Sequence, residues 1–214
     1  MIGFGIDETQ FNKFINLDSI DTRIINYLKD DESKDAERIW KLLKYSDMRA
    51  LFQEPLSKKD KNALIYRDID QNSKRIFTMP LVEDSLTETC SILKIYLHSI
   101  VPTNHLLSVV NVQIDILSHN KLNNVYNDDN DLIEGGREVE EDITVKNRNN
   151  ILLKSILKVL NGANIEGIGK LQFNNQLSKD SSMKGYSINN KTNFYGYSLI
   201  MSCNISGVGE AIYG

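Results

Sequence analysis

The chain has 214 residues, of which 41% are hydrophobic and 25% are charged, and its formal net charge is −4. This balance is typical of globular proteins and excludes collagen-like, fully disordered and membrane-spanning classes. The length allows one main domain, and the acidic balance argues against bulk electrostatic binding to nucleic acid. No basic and apolar segment opens the chain as a secretory signal would, so we expect a soluble intracellular protein.

The residue counts also indicate the genome of origin. The chain contains 23 Asn, 25 Ile and 18 Lys, but only 5 Ala, 3 Pro and 7 Arg. Residues with A/T-rich codons are therefore in excess, which predicts an AT-rich genome. The two cysteines, Cys90 and Cys203, are too few for a disulfide framework and lack the spacing of metal ligands.

Helical periodicity dominates the first part of the chain. Residues 1–17 have no clean period and are predicted to form an arm. Asp18 and Ser19 can cap a first helix, Ser33 can cap a second, and a short helix is predicted over 47–52. The apolar faces of the two longer helices are Ile20, Ile24, Ile25 and Leu28 in the first, and Ile39, Trp40, Leu42 and Leu43 in the second.

The period changes to that of strands from residue 75 onward. Strands are predicted over 75–79, 91–101 and 108–118, and a turn at 102–104 joins the last two into a long antiparallel hairpin. Alternation in 108–118 places Val110, Val112, Ile114 and Ile116 on one face, opposite Asn111, Gln113 and Asp115. Alternation in 91–101 places Leu93, Ile95 and Leu97 on one face, opposite Ile92, Tyr96 and Ile100.

A third amphipathic helix follows and ends at Asn161 and Gly162. Its apolar residues Leu153, Ile156, Leu157 and Leu160 are predicted to face the sheet. Two further strands are predicted over 167–174 and 195–206. The second of these has the apolar stripe Tyr197, Leu199, Met201, Cys203 and Ile205.

The order of these elements predicts an α+β fold, in which N-terminal helices precede a curved antiparallel sheet with one helix packed across it, in the order β-β-β-α-β-β. We expect two parts in the chain. Residues 1–60 form an N-terminal arm and helical segment, and residues 61–214 form the α+β core domain. That domain includes an acidic loop over 127–142 and a C-terminal tail over 207–214. The acidic loop carries a net charge of −7, so the rest of the chain carries +3.

No residue pattern meets the requirements of a catalytic, cofactor or metal site. His98, His105 and His119 flank opposite ends of the predicted hairpin and cannot all converge on a metal. The glycines between 162 and 170 lack the order of a phosphate-binding loop, and 128–142 lacks the ligand pattern of an EF-hand. We therefore predict that the protein is not an enzyme and has no cofactor, no catalytic residues and no metal ligands.

Four segments resemble head–tail connector proteins of tailed bacteriophages, of the tail-terminator and neck-ring type. These segments are VVNVQIDILSH (109–119), RNNILLKSILKVLNG (148–162), IGKLQFN (168–174) and NFYGYSLIMSCNISGV (193–208). Such proteins carry a β-hairpin, a helix across the sheet and a late strand introduced by an aromatic-Gly-aromatic step, here Tyr195-Gly196-Tyr197. The resemblance covers residues 90–208, and the AT-rich composition suits a phage of a Bacteroidetes or low-GC host, including the crAss-like group.

The resemblance implies a structural virion protein that forms a homo-oligomeric ring in the neck. Its partners would be a portal or adaptor protein and tail proteins, with DNA passing through without specific binding and no membrane involved. We expect apolar residues at the two ends of the chain to lie in the subunit interface: Ile2, Phe4, Ile6, Val208, Ile212 and Tyr213. We expect four acidic residues to face the lumen: Glu138, Glu140, Glu141 and Asp142.

A hypothesis from another class stays open beside this one. A small intracellular enzyme or ligand-binding module could assemble its site from residues that lie far apart in the sequence. A ring in solution would favour the virion protein, whereas a monomer with a deep polar pocket would favour the module.

Overall fold

A computed structural model of the chain describes residues 17–67, 73–80, 89–103, 107–126, 145–178, 184–188 and 191–206. The α-helices are α1 (Ile20–Asp30), α2 (Lys34–Lys44), α3 (Lys58–Ala63) and α4 (Arg148–Leu160). Short 3-10 turns lie at Leu17–Ser19, Ala50–Phe52 and Asn120–Leu122. The strands up to α4 are β1 (Ile76–Phe77), β2 (Ser91–Pro102), β3 (Leu107–His119), β4 (Asn124–Tyr126) and β5 (Val145–Asn147). The strands after α4 are β6 (Asn164–Ile165), β7 (Gly169–Lys170), β8 (Gln172–Phe173), β9 (Lys184–Ile188) and β10 (Lys191–Ser206).

The main sheet is built on three long antiparallel strands. Its order is β1-β2-β3-β10-β8, with β9 also paired to β10. The pairs β2–β3 and β3–β10 are antiparallel, whereas the short β1 is parallel to β2. The predicted fold class, α+β with N-terminal helices before a mostly antiparallel sheet and one helix after the hairpin, is confirmed. The pairs β4–β5 and β6–β7 form two small hairpins beside the main sheet.

One apolar layer joins the helices to the sheet. Buried residues of α1, α2 and α4 form a single cluster with those of β2, β3 and β10. The predicted apolar faces of α1 and α2 are buried throughout, as are Val110, Val112, Ile114 and Ile116 of β3. The division at residue 60 stays a prediction, and buried residues on both sides of it belong to this one cluster.

The two predicted helix caps behave differently. Ser33 caps α2 as predicted, because its Oγ accepts a hydrogen bond from the backbone N–H of Ala36 at 3.2 Å. Ser19 precedes α1 but makes no capping hydrogen bond with its side chain. Its Oγ instead accepts from Nε of Arg23 at 3.2 Å, so Ser19 occupies the predicted N-cap position without the side-chain hydrogen bond of a cap.

A β-bulge corrects the predicted face of Ile100. The register of β2 against β3 shifts between Leu97 and Ser99, and after the shift Ile100 pairs with Val110. An extra residue in one strand exchanges the faces of all residues beyond it. Ile100 therefore packs against the main core and not on the side of Ile92 and Tyr96.

Helix α4 packs across the sheet in a slightly different orientation from the one predicted. Ile156 and Leu160 are fully buried as expected, whereas Leu153 and Leu157 are only partly buried against the core.

The predicted strand over 167–174 is wrong as a single element. Gly167 and Gly169 have positive φ angles of 80° and 75° and lie in the turn that leads from β6 into the first residue of β7. The segment divides at Leu171, whose backbone bonds to Gly162 and Ala163, so that β7 pairs with β6 and β8 pairs with β10.

Gly196 explains the aromatic-Gly-aromatic step in β10. A Cβ at this position would lie 1.7 Å from the carbonyl oxygen of Ile116 on β3. Only glycine allows the two backbones to approach this closely. The step is therefore a packing requirement of the β3–β10 pair.

Candidate assembly surface on the sheet

The residues predicted for the interface and the lumen all lie outside the described part of the chain. The residues predicted for the subunit interface are Ile2, Phe4, Ile6, Val208, Ile212 and Tyr213. The residues predicted to face the lumen are Glu138, Glu140, Glu141 and Asp142. Their roles stay predictions, and the described residues point to a different surface.

That surface is the distal half of the sheet face opposite α4, which we call the polar face. It consists of Tyr96, Ser99, Asn111, Gln113, Asp115, Asn174, Ser198 and Ser202, which hydrogen-bond to one another across neighbouring strands. In a chain that is 25% charged, the strands β2, β3 and β10 hold only Lys94, Asp115 and Lys191 as charged residues. A low number of charged residues and the presence of tyrosine are typical of the centre of a protein–protein interface.

Asp115 is the centre of the polar face and is only 4% exposed. Its carboxylate accepts hydrogen bonds from the Tyr96 hydroxyl at 3.0 Å, the Gln113 amide at 2.8 Å and the Ser198 hydroxyl at 2.7 Å. Within the described residues these three donors satisfy the buried carboxylate, and none of them is a charged group. Lys94 lies opposite Asp115 in the ladder, and its ammonium donates to the backbone carbonyl of Pro80 at 2.9 Å.

A second chain of hydrogen bonds crosses the sheet nearer the hairpin tip. Asn111 donates to the Ser99 hydroxyl at 2.9 Å and accepts from the Ser202 hydroxyl at 2.6 Å. Asn174, which follows β8, donates to Ser202 at 2.8 Å. These bonds connect β2, β3, β10 and the residue after β8. Asn111 and Asp115 are buried, whereas the other six residues of the polar face are partly exposed.

Ser198 is paired with a carboxylate and an amide and not with a histidine within the described residues. Its hydroxyl donates to Asp115 and accepts from Gln113. The exposed His98 places Nδ1 3.0 Å from Oε1 of Gln113. In the part of the chain that the structure describes, no three His, Cys, Asp or Glu side chains are close enough to hold a metal ion.

A second network lies under α4 on the opposite face of the sheet, and we call it the buried network. Its centre is Arg148, the first residue of α4, which is fully buried. The guanidinium donates to the Ser91 hydroxyl at 2.9 Å and to the carbonyls of Leu42 at 2.6 Å, Asp47 at 3.3 Å and Tyr45. Two of these carbonyls belong to the C-terminal end of α2, where unpaired carbonyls favour a cation.

The buried network continues from Arg148 into all three long strands. The hydroxyls of Ser91 and Ser118 lie 2.9 Å apart, and Ser118 donates to Asn149 at 2.6 Å. Asn149 donates in turn to the carbonyl of Tyr195 at 2.9 Å. Burial lowers the pKa of Arg148 to about 10, which still leaves the guanidinium charged at neutral pH.

Neither network was found from the sequence, although one signal was present. Seven arginines stand against 18 lysines in this composition, so each arginine is a candidate for a role that lysine cannot fill, such as several directed hydrogen bonds. The alternation of Asn111, Gln113 and Asp115 was visible too. Their partners in β10 could not be identified, because the sequence of one strand does not determine its register with a neighbouring strand.

The described residues also form a cleft of about 450 Å³ between α1 and the β6–β7 hairpin. Its lining residues are Arg23, Asn26, Tyr27, Asp30, Asp31, Ile165 and Glu166. None of these belongs to the polar face or to the buried network. The cleft is therefore separate from both.

A comparison with protein families places the chain in a phage-derived class of protein. Residues 23–203 match the YomW family, and the chain belongs to it. The matched range extends from α1 to β10 and includes both networks. No curated protein sequence and no solved structure matches the chain.

The match confirms the phage origin that the resemblance implied, while the location in the virion and the position in the neck stay predictions. None of the helices in the described part of the chain has the length and apolar character needed to cross a bilayer.

Proposed function

We propose that this chain is a structural virion protein that forms a homo-oligomeric ring in the phage neck, between the portal and the tail. Membership of a phage-derived family supports the viral setting. The polar face is the observation that carries the proposal, because α1, α2 and α4 pack on one face of the sheet, whereas the polar face on the other side has charge-poor, partly exposed side chains that a partner can cover. Assembly, and not chemistry, is then the function of the protein.

The composition of the polar face supports an assembly role. Tyr96, Gln113 and Ser198 are each partly exposed, and their polar atoms are already hydrogen-bonded within the chain. A partner can cover such a surface at little cost, because no charge has to be stripped of water and few side chains have to be ordered. An ordinary solvated sheet face would carry lysine and glutamate instead.

The acidic loop completes the proposal on the side of the DNA. Residues 127–142 carry −7 and connect β4 to β5 in the chain. A negative lining repels the DNA duplex over roughly 8–10 Å at physiological salt and lets it slide. We place Glu138, Glu140, Glu141 and Asp142 at the lumen or its rim, and the portal or adaptor and the tail proteins above and below the ring.

A ligand-binding module is the second candidate, and Asp115 is the observation that favours it. A buried carboxylate held by a hydroxyl, an amide and a second hydroxyl is also a way to orient a small polar ligand. This candidate predicts a monomer in solution, so one measurement separates the two functions.

The test is the mass of the assembly in solution. Size-exclusion chromatography with light scattering should give a multiple of the 24.4 kDa chain mass, and negative-stain microscopy should show closed rings. Gln113→Lys places a charge on the polar face and should shift the mass towards that of the monomer. Gln176→Lys, on an exposed loop, is the matched control and should assemble like the wild type. A wild-type chain that stays monomeric at all concentrations would contradict the ring and favour the ligand-binding module.

A further inference from the structure

Exposed large apolar side chains are concentrated at two places in the molecule. Among the described residues they are Met48, Phe52, Leu97, Val101, Leu107, Val145 and Leu177. Three of them belong to the β2–β3 hairpin, and three lie at or near the β4–β5 hairpin. Exposed apolar residues that lie singly are normal on a protein surface, whereas groups of them mark interaction sites.

The first group includes a surface at the tip of the β2–β3 hairpin. Val101 is 51% exposed and pairs with Val109 across the two strands, and Leu107, which is 40% exposed, lies two residues before Val109. Residues that pair directly share a face of the sheet, as do residues two apart in one strand. We call the surface formed by these three side chains the tip patch. Because Val109 is also two residues from Asn111, the tip patch continues the polar face.

The tip patch can be covered without removing a charge from water. Residues 95–114, which include all three residues of the tip patch, contain no Asp, Glu, Lys or Arg in a chain that is 25% charged. The ladder between β3 and β10 extends as far as Leu107 and Ser206, and Thr103 donates its N–H to the carbonyl of Leu107. Hydrogen bonds within the chain therefore hold the strands at the tip, so that few groups have to be ordered when a partner binds.

The second group lies around the β4–β5 hairpin. Tyr126 of β4 is partly exposed and pairs with Val145 of β5, which is 45% exposed. The N–H of Tyr126 donates to the carbonyl of Met48, whose side chain is 40% exposed. The 3-10 turn that ends at Phe52 lies against β4, and Phe52 is 60% exposed. We call the surface formed by Met48, Phe52, Tyr126 and Val145 the base patch.

The two patches lie at opposite ends of β3. This strand has 13 residues, so its ends are about 40 Å apart at roughly 3.3 Å per residue. Leu107 at the beginning of β3 belongs to the tip patch, whereas β4 follows the end of β3 after one short turn. The tip patch and the base patch of one chain are therefore too far apart to cover each other.

We propose that the tip patch of one copy packs against the base patch of the next copy. Every chain carries one patch of each kind, and the aliphatic side chains of the tip patch suit the aromatic and thioether side chains of the base patch. Two different surfaces of the same molecule join head to tail and close into a ring when the rotation allows it. A copy seated on the tip patch also covers the adjoining end of the polar face. The inference rests on the proposed ring and names the contact that would hold it.

The experiment uses the full chain with one lysine on either patch. Val101→Lys and Phe52→Lys should each raise the dissociation constant of the assembly at least tenfold and leave a monomer of about 24.4 kDa. Leu177→Lys is the matched control and should assemble like the wild type, because this side chain is 48% exposed and belongs to neither patch. Circular dichroism and thermal unfolding show whether each variant is folded. If a patch variant is unfolded, Leu107→Lys replaces it on the tip patch and Val145→Lys on the base patch.

A mixture of the two patch variants tests the direction of the contact. The Phe52→Lys chain keeps an intact tip patch, and the Val101→Lys chain keeps an intact base patch. An equimolar mixture should therefore form one contact between a tip patch and a base patch and stop at two chains. Light scattering and sedimentation equilibrium over a series of concentrations measure this mass.

Each outcome supports or overturns the contact. A wild-type ring, two folded monomeric variants and a mixture that stops at two chains support it. A ring that persists in either folded variant, or a mixture that stays monomeric at every concentration, overturns the contact and leaves the ring function standing. A Phe52→Lys chain that dimerises by itself shows pairing of two tip patches and overturns the head-to-tail arrangement. A wild-type chain that is monomeric at all concentrations overturns both the contact and the proposed function.

Discussion

The buried network and the polar face use similar residues on opposite faces of one sheet, but they differ in how completely the chain covers them. Ser91, Ser118 and Arg148 are almost fully enclosed under α4. Gln113 and Ser198 on the other face remain partly exposed. A polar network that is fully enclosed stabilises and specifies the fold, because any lost partner leaves a group that water cannot reach. A network that is partly exposed tolerates the loss of a hydrogen-bond partner and can also contact another protein.

Arg148 in the buried network and Lys94, which lies opposite Asp115 of the polar face, differ in the number of oxygen atoms that each contacts. Arg148 is held by carbonyl and hydroxyl oxygens of four residues: two at the C-terminal end of α2, one in the loop after it and one in β2. Lys94 reaches one carbonyl, that of the exposed Pro80. Burial also lowers the pKa of Lys94, and the nearby Asp115 carboxylate opposes this shift. Removal of either cation therefore tests how much of the fold depends on it.

The largest effect is expected for Arg148→Met. The substitution keeps an apolar stem but leaves the carbonyls of Leu42, Tyr45 and Asp47 without their donor, and we expect the free energy of unfolding to fall by about 3–5 kcal/mol. Urea unfolding followed by circular dichroism at a fixed protein concentration measures the loss. Lys94→Met is the counterpart and should cost about 1 kcal/mol or less, because water can replace the lysine at Pro80.

Equal losses for the two substitutions would contradict the distinction between an enclosed and an open network. A small loss for Arg148→Met alone would show that the ends of α2 and α4 can rearrange to satisfy the three carbonyls. In that case the buried network would not be what fixes α2 against α4.

Much of the fold could be predicted from local periodicity. The face of α1 with Ile20 and Leu28, the cap at Ser33 and the inward stripe of β3 follow from spacings of three to four or of two residues. Each depends only on neighbours in the sequence, and the structure confirms each.

The errors arise where non-local geometry decides. The bulge before Ser99 is set by the register with β3, so strict alternation placed Ile100 on the wrong face. The polar face needs Ser198 of β10 beside Asp115 of β3, residues that lie 83 positions apart. A sequence shows which residues alternate, but it does not show which strand lies beside them.

A pair of serine substitutions sharpens the comparison at a smaller scale. Ser118→Ala removes a hydroxyl that contacts both Ser91 and Asn149 in a fully buried position, and we expect a loss of about 1–3 kcal/mol. Ser198→Ala removes one of three donors to Asp115 on the polar face, and we expect about 0.5–1.5 kcal/mol. Urea unfolding of both variants beside the wild type gives the order, and a larger loss for Ser198→Ala would reverse the assignment of the two faces.

The smallest effect concerns His119, which lies at the opposite end of the hairpin from His98. His119 is 8% exposed, its ring meets Phe194 edge-on at 5.4 Å, and its Nδ1 accepts from the backbone N–H of Lys121 at 3.2 Å. Burial, and secondarily the positive charge of Lys121, hold the pKa of His119 below its ordinary value of 6.5. His98, on the side of the polar face, is exposed.

The sign of the pH effect follows from the lowered pKa of His119. Below about pH 6.5 the unfolded chain binds a proton that the folded chain does not, so the contribution of His119 is complete above that pH and is lost as the pH falls. Between pH 7 and pH 5.5 we expect the free energy of unfolding to fall by about 1 kcal/mol or less from this group. His119→Gln keeps an acceptor for Lys121 and should flatten the dependence. If the dependence of His119→Gln equalled that of the wild type, burial of this ring would not be what controls its protonation.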